Sequence, residues 1–326
     1  MKLSQLKLAL LFLTLISLVF ILSGCWPIIS HKQSSTIYVA NYSDDTVSVI
    51  NGQTNAVVAT VNVEDSPYGV GVDPITHMIY VANYGNNTVS VINGQTNSVV
   101  STLTVGLGPA AIGVNSTTTM IYVVNSVNDK ISVINGQTNS VVATVPVGND
   151  PIGVGVDPIN NMIYVSNWWD DTVSVINGQT NSVVATVTVG YRPYGVGVDP
   201  ITHMIYVANY GNNTVSVING QTNAVVATVP VGNGPIGVGV DPIVHMIYVA
   251  NSIIDTISVI SGSTDNIVST ITVGDMPWGV AVDPIIHMIY VSNYNSNSIS
   301  VINGQTNSVV ATLTVGINPR GIGVLY

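Results

Sequence analysis

From Ile37 onward the chain is written in short apolar runs separated by polar turns, and the pattern restarts every 42 residues. In the second copy, Tyr68-Gly-Val-Gly-Val72 is an apolar run ended by Asp73-Pro74, where proline stops a ladder. Met78-Ile-Tyr-Val-Ala82 follows, then a polar turn from Asn83 to Asn87. Thr88-Val-Ser-Val-Ile92 alternates apolar and polar, and Asn93-Gly94 is a strong short hairpin signal. Ser98-Val-Val-Ser-Thr-Leu-Thr-Val105 completes the unit. No segment of the repeat has a helical period. Four short strands joined by tight turns predict one antiparallel blade.

The tripeptide Ile-Tyr-Val marks seven copies, with tyrosines at Tyr38, Tyr80, Tyr122, Tyr164, Tyr206, Tyr248 and Tyr290. A fixed period of this length indicates stacked supersecondary units, and four strands per unit favour a propeller. The first copy lacks the Gly-Val-Gly-Val strand, while the chain finishes with a spare one, Gly321-Ile-Gly-Val-Leu-Tyr326. The expected fold is therefore an all-β, seven-bladed β-propeller of four-stranded antiparallel blades, with the C-terminal strand closing the first blade and leaving no open edge at the seam. Gly69 and Gly71 suit the innermost strand, where seven backbones crowd a narrow channel.

Ile79-Tyr-Val-Ala-Asn83, Asn87-Thr-Val-Ser-Val-Ile-Asn93, Ala56-Val-Val-Ala-Thr-Val61 and Pro67-Tyr-Gly-Val-Gly-Val-Asp-Pro74 resemble the YVTN β-propeller repeat. The resemblance runs through all seven copies. Ala or Ser stands where the family has Thr after Tyr-Val, and Asn-Gly-Gln-Thr replaces an Asp-rich turn. It implies an exported or surface protein and leaves the ligand open. Residues 67–97 are identical to 193–223, three copies on, which suggests duplication of a three-blade block.

Outside the repeat, Lys2 and Lys7 precede an apolar run from Leu8 to Leu22, and Leu22-Ser-Gly-Cys25 resembles a bacterial lipobox. The expected organisation is a removed lipoprotein signal peptide over 1–24, a tether over 25–36 and the propeller over 37–326. Cys25 is the single cysteine, so it is the expected lipidation site and no internal disulfide is available. Extended, the tether reaches at most about 40 Å, which keeps the domain close to a membrane. After cleavage four basic residues face sixteen acidic ones, a formal net charge of −12. That balance excludes nucleic acid as a partner, and anionic headgroups would repel the domain, leaving the lipid on Cys25 as its membrane attachment.

The turns divide between two faces. On one, Asn-Gly-Gln-Thr-Asn occurs in six copies and only Ser261-Gly-Ser-Thr-Asp265 departs. The loops of the other face differ from copy to copy and carry Tyr42, Trp168, Trp169, Tyr191, Arg192, Tyr194, Trp278 and Tyr294 among carboxylates and amides. Such aromatics suit stacking on sugar faces or a protein hot spot, and these eight residues are the candidate ligand-binding set. Two neighbouring residues of a strand point to opposite faces, so at most one of Trp168 and Trp169 is expected to be buried. Packing between blades is the competing role for both.

His77, His203, His245 and His287 recur at one place in the constant loops, too far apart by symmetry to share a metal, and are expected to be turn residues. Asp73, Asp157, Asp199, Asp241 and Asp283 end the inner strands, either as a cation ring at the channel mouth or as turn starters before proline. No phosphate loop, nucleophile elbow or haem-attachment pair appears, so no catalytic residue, metal site or cofactor is assigned. The expected function is that of a non-catalytic, lipid-anchored surface propeller binding an extracellular protein or envelope glycan. The alternatives are an enzyme or cofactor carrier, as in propeller lactonases, lyases and haem-binding oxidoreductases, or a self-assembling envelope component.

Overall fold

The computed structural model of the chain describes residues 35–326. The expected signal peptide, Cys25 and nearly all of the tether lie outside the described residues. Twenty-eight strands, β1 to β28 in chain order, form seven four-stranded antiparallel sheets arranged in a ring, with no helix among the described residues. The second blade, β4 (Pro67–Asp73), β5 (Met78–Asn83), β6 (Thr88–Asn93) and β7 (Ser98–Thr104), follows the boundaries that its alternation predicts. The ring closes as expected. β28 (Pro319–Leu325) pairs antiparallel with β1 (Thr36–Asn41), so the last strand becomes the inner strand of the first blade.

Alternation explains how the ring is filled. Along β5 both faces are buried, because a blade is covered by a neighbour on each side. The core is therefore a set of seven clusters between blades. In one of them Tyr80, Ala82, Val89 and Val91 of the second blade pack on Ile112, Ile121, Val123 and Ile134 of the third. The closing seam is built the same way, with Tyr290 against Ile37, Val39 and Ile50. Burying one such large side chain contributes about 1.5–3 kcal/mol, and each seam repeats the contribution.

The inner strands need their glycines for close approach. A Cβ at Gly69 would lie 2.7 Å from the Ala110 carbonyl oxygen of the next blade, closer than side-chain carbons come to backbone. The hairpin after Asn93 forms where expected but for a different reason. Its left-handed residue is Asn97 (φ 53°), not Gly94, so it is a longer turn than the two-residue type that Asn-Gly favours. Asn93 Oδ1 accepts the backbone N–H groups of Gln95 (2.9 Å) and Thr96 (3.1 Å). The glycine is needed for space: at Gly136, its equivalent one blade on, a Cβ would meet the Tyr80 hydroxyl at 2.8 Å.

Candidate functional site

The variable face is shaped by two irregularities repeated in every blade. At the end of each inner strand the register with its neighbour slips, between Pro67 and Val70 in the second blade and at matching places in the others. Such a bulge frees one residue from the ladder and re-aims its side chain. The residues at these slips, one per blade, stand around the channel mouth: Tyr68, Ala110, Ile152, Tyr194, Ile236 and Trp278 line the channel, and Arg320 completes the set beside Tyr68 and Trp278. Outside it lies a shoulder ring of Tyr42, Tyr84, Ser126, Trp168, Tyr210, Ser252 and Tyr294, each just past a buried asparagine. That asparagine fixes the loop: Asn83 Nδ2 donates to Thr88 Oγ1 (3.0 Å) and Ser90 Oγ (2.9 Å).

The two rings merge into one aromatic surface. Tyr68 and Tyr194 come from blades three positions apart and share a 2.6 Å hydrogen bond between their hydroxyls. Trp278 packs edge-on against both, with centroids 6.2 Å and 5.8 Å away. Trp168 stands edge-on to Tyr194 at 5.7 Å and tilted over Tyr210 at 5.5 Å, and Tyr294 lies 5.6 Å from Trp278. Edge-to-face pairs of this kind contribute about 0.5–1.5 kcal/mol beyond their burial. Beneath them the channel holds a cavity of about 160 Å³ lined by Val, Ile and Gly of the inner strands. Burial raises the phenol pKa of Tyr68 and raises that of Tyr194 well above its ordinary value, so both hydroxyls are neutral donors at physiological pH.

Both arginines of the propeller sit in aromatic frames on this face. The Arg320 guanidinium lies 3.9 Å from the ring centre of Tyr42, 4.3 Å from Tyr68, 4.7 Å from Trp278 and 5.1 Å from Tyr294. Burial works against its charge, but the surrounding phenol groups outweigh that and hold its pKa above the ordinary arginine value. Arg192 spans Trp168, Trp169 and Tyr191 at 5.1–5.4 Å. The eight residues singled out in the sequence thus belong to one connected surface, joined through Tyr68 and Arg320. Trp168 is half-buried in that surface, whereas Trp169 is 61% exposed and Tyr191 49%. Tyr68, Tyr84, Tyr210 and Arg320 complete it. Tyr68 and Arg320 already belong to the variable loops in the sequence, and superposing the 42-residue repeats places Tyr84 and Tyr210 beside Tyr42 and Tyr294.

Most carboxylates of this face are engaged by the backbone. Asp45, Asp129, Asp171 and Asp255 accept the backbone N–H groups of Ser66, Asp150, Arg192 and Met276 at 2.8–2.9 Å. They hold the loops in shape, because the donating turn ends in a left-handed residue whose N–H has no ladder partner. Asp44 and Asp170 bind the loop leading into the inner strand of their own blade, accepting the N–H groups of Ile317 and Asn149. Asp150 is an exception: it borders a notch beside Ala110 and Ser126, and burial, reinforced by the nearby Asp129 charge, raises its pKa.

On the constant face the inner-strand aspartates do not converge on the channel. Each starts a turn, as Asp157 does for Ile159 (3.0 Å). Asp157, Asp199 and Asp241 also bind Nδ1 of His203, His245 and His287 in the following blade at 2.6–2.7 Å. Asn115 and Asn161 make the equivalent link with a 2.8 Å amide hydrogen bond. The four histidines are turn residues at positive φ, as expected, and three of them, His203, His245 and His287, are in addition inter-blade links, which the sequence did not reveal. Among the described residues no group of three or more His, Cys, Asp or Glu is gathered closely enough to hold a metal ion.

No protein-family model matches the chain, and no curated protein does. Solved structures share its fold. A functionally unknown protein from Desulfotomaculum acetoxidans superposes with a TM-score of 0.80 at 16% identity, over 89% of this chain and 99% of that one. Hydrazine synthase of Kuenenia stuttgartiensis gives a TM-score of 0.75 at 20% identity, over 82% of this chain and 92% of that one. The dihydro-haem d1 dehydrogenase NirN gives 0.65 at 15% identity, over 86% of this chain and 63% of its own. At these identities the likeness establishes the fold alone: this chain is a seven-bladed β-propeller.

Proposed function

We propose that the protein is an exported, lipid-anchored propeller of the YVTN type, which binds an envelope glycan or an extracellular protein through its variable face. The observation that carries this reading is the continuous aromatic surface there, with Trp169 and Tyr191 exposed beside Arg192. Exposed, rigid aromatics around a cation are the side chains that dominate recognition energy, whereas isolated exposed valines are ordinary. The motif Leu22-Ser-Gly-Cys25 supports export and acylation, with residues 1–24 removed and 25–36 as the tether. The net negative charge of the mature chain leaves the lipid as its hold on an anionic membrane.

Capture by cross-linking on intact native cells tests the binding role. Trp169→Ala with Tyr191→Ala is the informative pair, since both side chains are exposed and their removal leaves the fold intact. Loss of the captured partner supports the proposal; unchanged capture overturns the assignment of this face. Fractionation of cells carrying Cys25→Ser tests the anchor. The protein is expected to move from the membrane fraction to the soluble one.

A further inference from the structure

The mouth ring is lopsided. Tyr68, Tyr194, Trp278 and Arg320 are large, but the third blade supplies only Ala110, and its shoulder residue is Ser126. Where both positions are small a notch opens, of about 260 Å³, walled by Tyr42, Tyr68 and Tyr84. Arg320 lines it from the first blade, and Asp150 and Ser126 line it from the third-blade side. Pockets for drug-sized ligands run from about 300 to 1,000 Å³, so this one has room for a single small ring.

Arg320 is a cation without an anion. Among the described residues the close ion pairs are the three His–Asp contacts of the opposite face, although the protein carries sixteen acidic residues. Its Nε is enclosed with no acceptor. The phenol oxygens of Tyr68 and Tyr294 accept from the guanidinium, but they are neutral and leave its charge unpaired, so a carboxylate would add the charge-assisted hydrogen bonding that the protein does not provide. A phosphate dianion fits less well, since one guanidinium leaves a charge uncompensated next to Asp150. The other polar groups suit hydroxyls. The Asp150 carboxyl group accepts, and Ser126 Oγ donates to the Gly108 carbonyl (3.0 Å), which leaves its lone pairs to accept as well. The tyrosines offer flat faces for the C–H side of a ring.

We propose that this notch binds a carboxylate-bearing sugar, with the carboxylate on Arg320, hydroxyls on Asp150 and Ser126, and the ring against the tyrosines. This deepens the binding role proposed above and rests on it: it selects an acidic glycan over a protein as the ligand of the face. Arg192, the second unpaired arginine, gives a polymer of such units another anion contact.

The test is titration of the full-length protein in detergent with D-glucuronate and D-galacturonate, beside D-glucose, D-galactose and D-glucose 6-phosphate. A charge-assisted pair on one guanidinium corresponds to a preference of about tenfold or more for the acid over its neutral counterpart. Arg320→Gln removes that preference. Ala110→Ile is the control for folding, because isoleucine already occupies the same place at Ile152 and Ile236; it fills the notch, keeps the arginine and is expected to abolish binding. Equal affinity for acid and neutral sugars, tighter binding of the 6-phosphate, or an Ala110→Ile protein that binds normally each overturns the proposal. If any of these occurs while capture on cells still depends on Trp169, the notch fails and the binding role of the face stands. If that capture is independent of Trp169 and Tyr191 while the acid preference vanishes in Arg320→Gln and Ala110→Ile, the notch stands and the wider surface falls.

Discussion

The two faces of the ring are made from the same repeat and do opposite things with it. On the constant face, polar side chains are turned inward to the protein. Asp157, Asp199 and Asp241 are buried, each binding its own turn and the histidine of the next blade, and the Tyr38 hydroxyl reaches a neighbouring turn at Gly94 O (3.2 Å). On the variable face the backbone is held just as firmly, by Asp45, Asp171 and their equivalents, but the side chains of the two rings differ from blade to blade. Loop shape and loop surface are thus carried by different residues. A scaffold with this separation changes its surface without losing its turns, which supports the proposal that the unpaired arginines and exposed tryptophan serve recognition, whereas the histidines are architecture.

Alkali should break the constant side of this comparison with the largest effect. Burial lifts the pKa of Tyr38, Tyr80, Tyr122, Tyr164 and Tyr248 to about 12, against about 10 in the unfolded chain. A raised folded pKa means that the unfolded state gives up its proton first. The stability is fully present below pH 10 and is lost as pH rises toward 12, by about 1.4 kcal/mol per pH unit for each tyrosine in that window. Denaturant midpoints between pH 8 and 12, followed together with tyrosinate absorbance, check this. Because the Tyr164 hydroxyl has no hydrogen-bond partner, Tyr164→Phe should be close to neutral at pH 7 and more stable than wild type at pH 11.

Removing one inter-blade link comes next. Asp199→Ala leaves the N–H of Ile201 (2.9 Å) and Nδ1 of His245 (2.6 Å) without their acceptor, at a cost of about 1–3 kcal/mol. The shift in thermal midpoint measures it. On the variable face Asp171→Ala deprives the Arg192 N–H of its 2.8 Å acceptor at the edge of solvent, and about 1 kcal/mol is expected. The smallest change belongs to Trp169→Ala, within about 0.5 kcal/mol of wild type by thermal melting, accompanied by loss of binding. If Trp169→Ala proved as destabilising as Asp199→Ala, the division between an architectural face and a recognition face would collapse.

Much of this was legible in the sequence because the relevant interactions are local or repeat at a fixed interval. Alternation with period two gave each strand, the 42-residue spacing gave seven blades, and the complementary chain ends gave the closure of β28 on β1. The aromatic residues of the variable face were visible as the positions where the copies disagree. What the alternation could not reveal was the use of the aspartates. Asp45 and Asp150 occupy different positions of the repeat, but the repeat alone does not show that one holds a backbone N–H of the adjoining loop and the other borders a notch. The difference depends on a neighbouring loop.

The sequence by itself therefore determined the blade, the number of blades, the closure of the ring and the existence of a constant and a variable face. Each follows from chemistry within one unit or between consecutive ones. Only the closed ring decided that Tyr68 and Tyr194 share a hydrogen bond across the mouth, that Arg320 from the last strand lies over Tyr42 from the first blade, and that Ala110 leaves a gap between them and Asp150. Those contacts join residues from non-consecutive blades and opposite ends of the chain. They arise because seven twisted sheets must meet at one axis, and no period along a single strand records which side chains will face one another there.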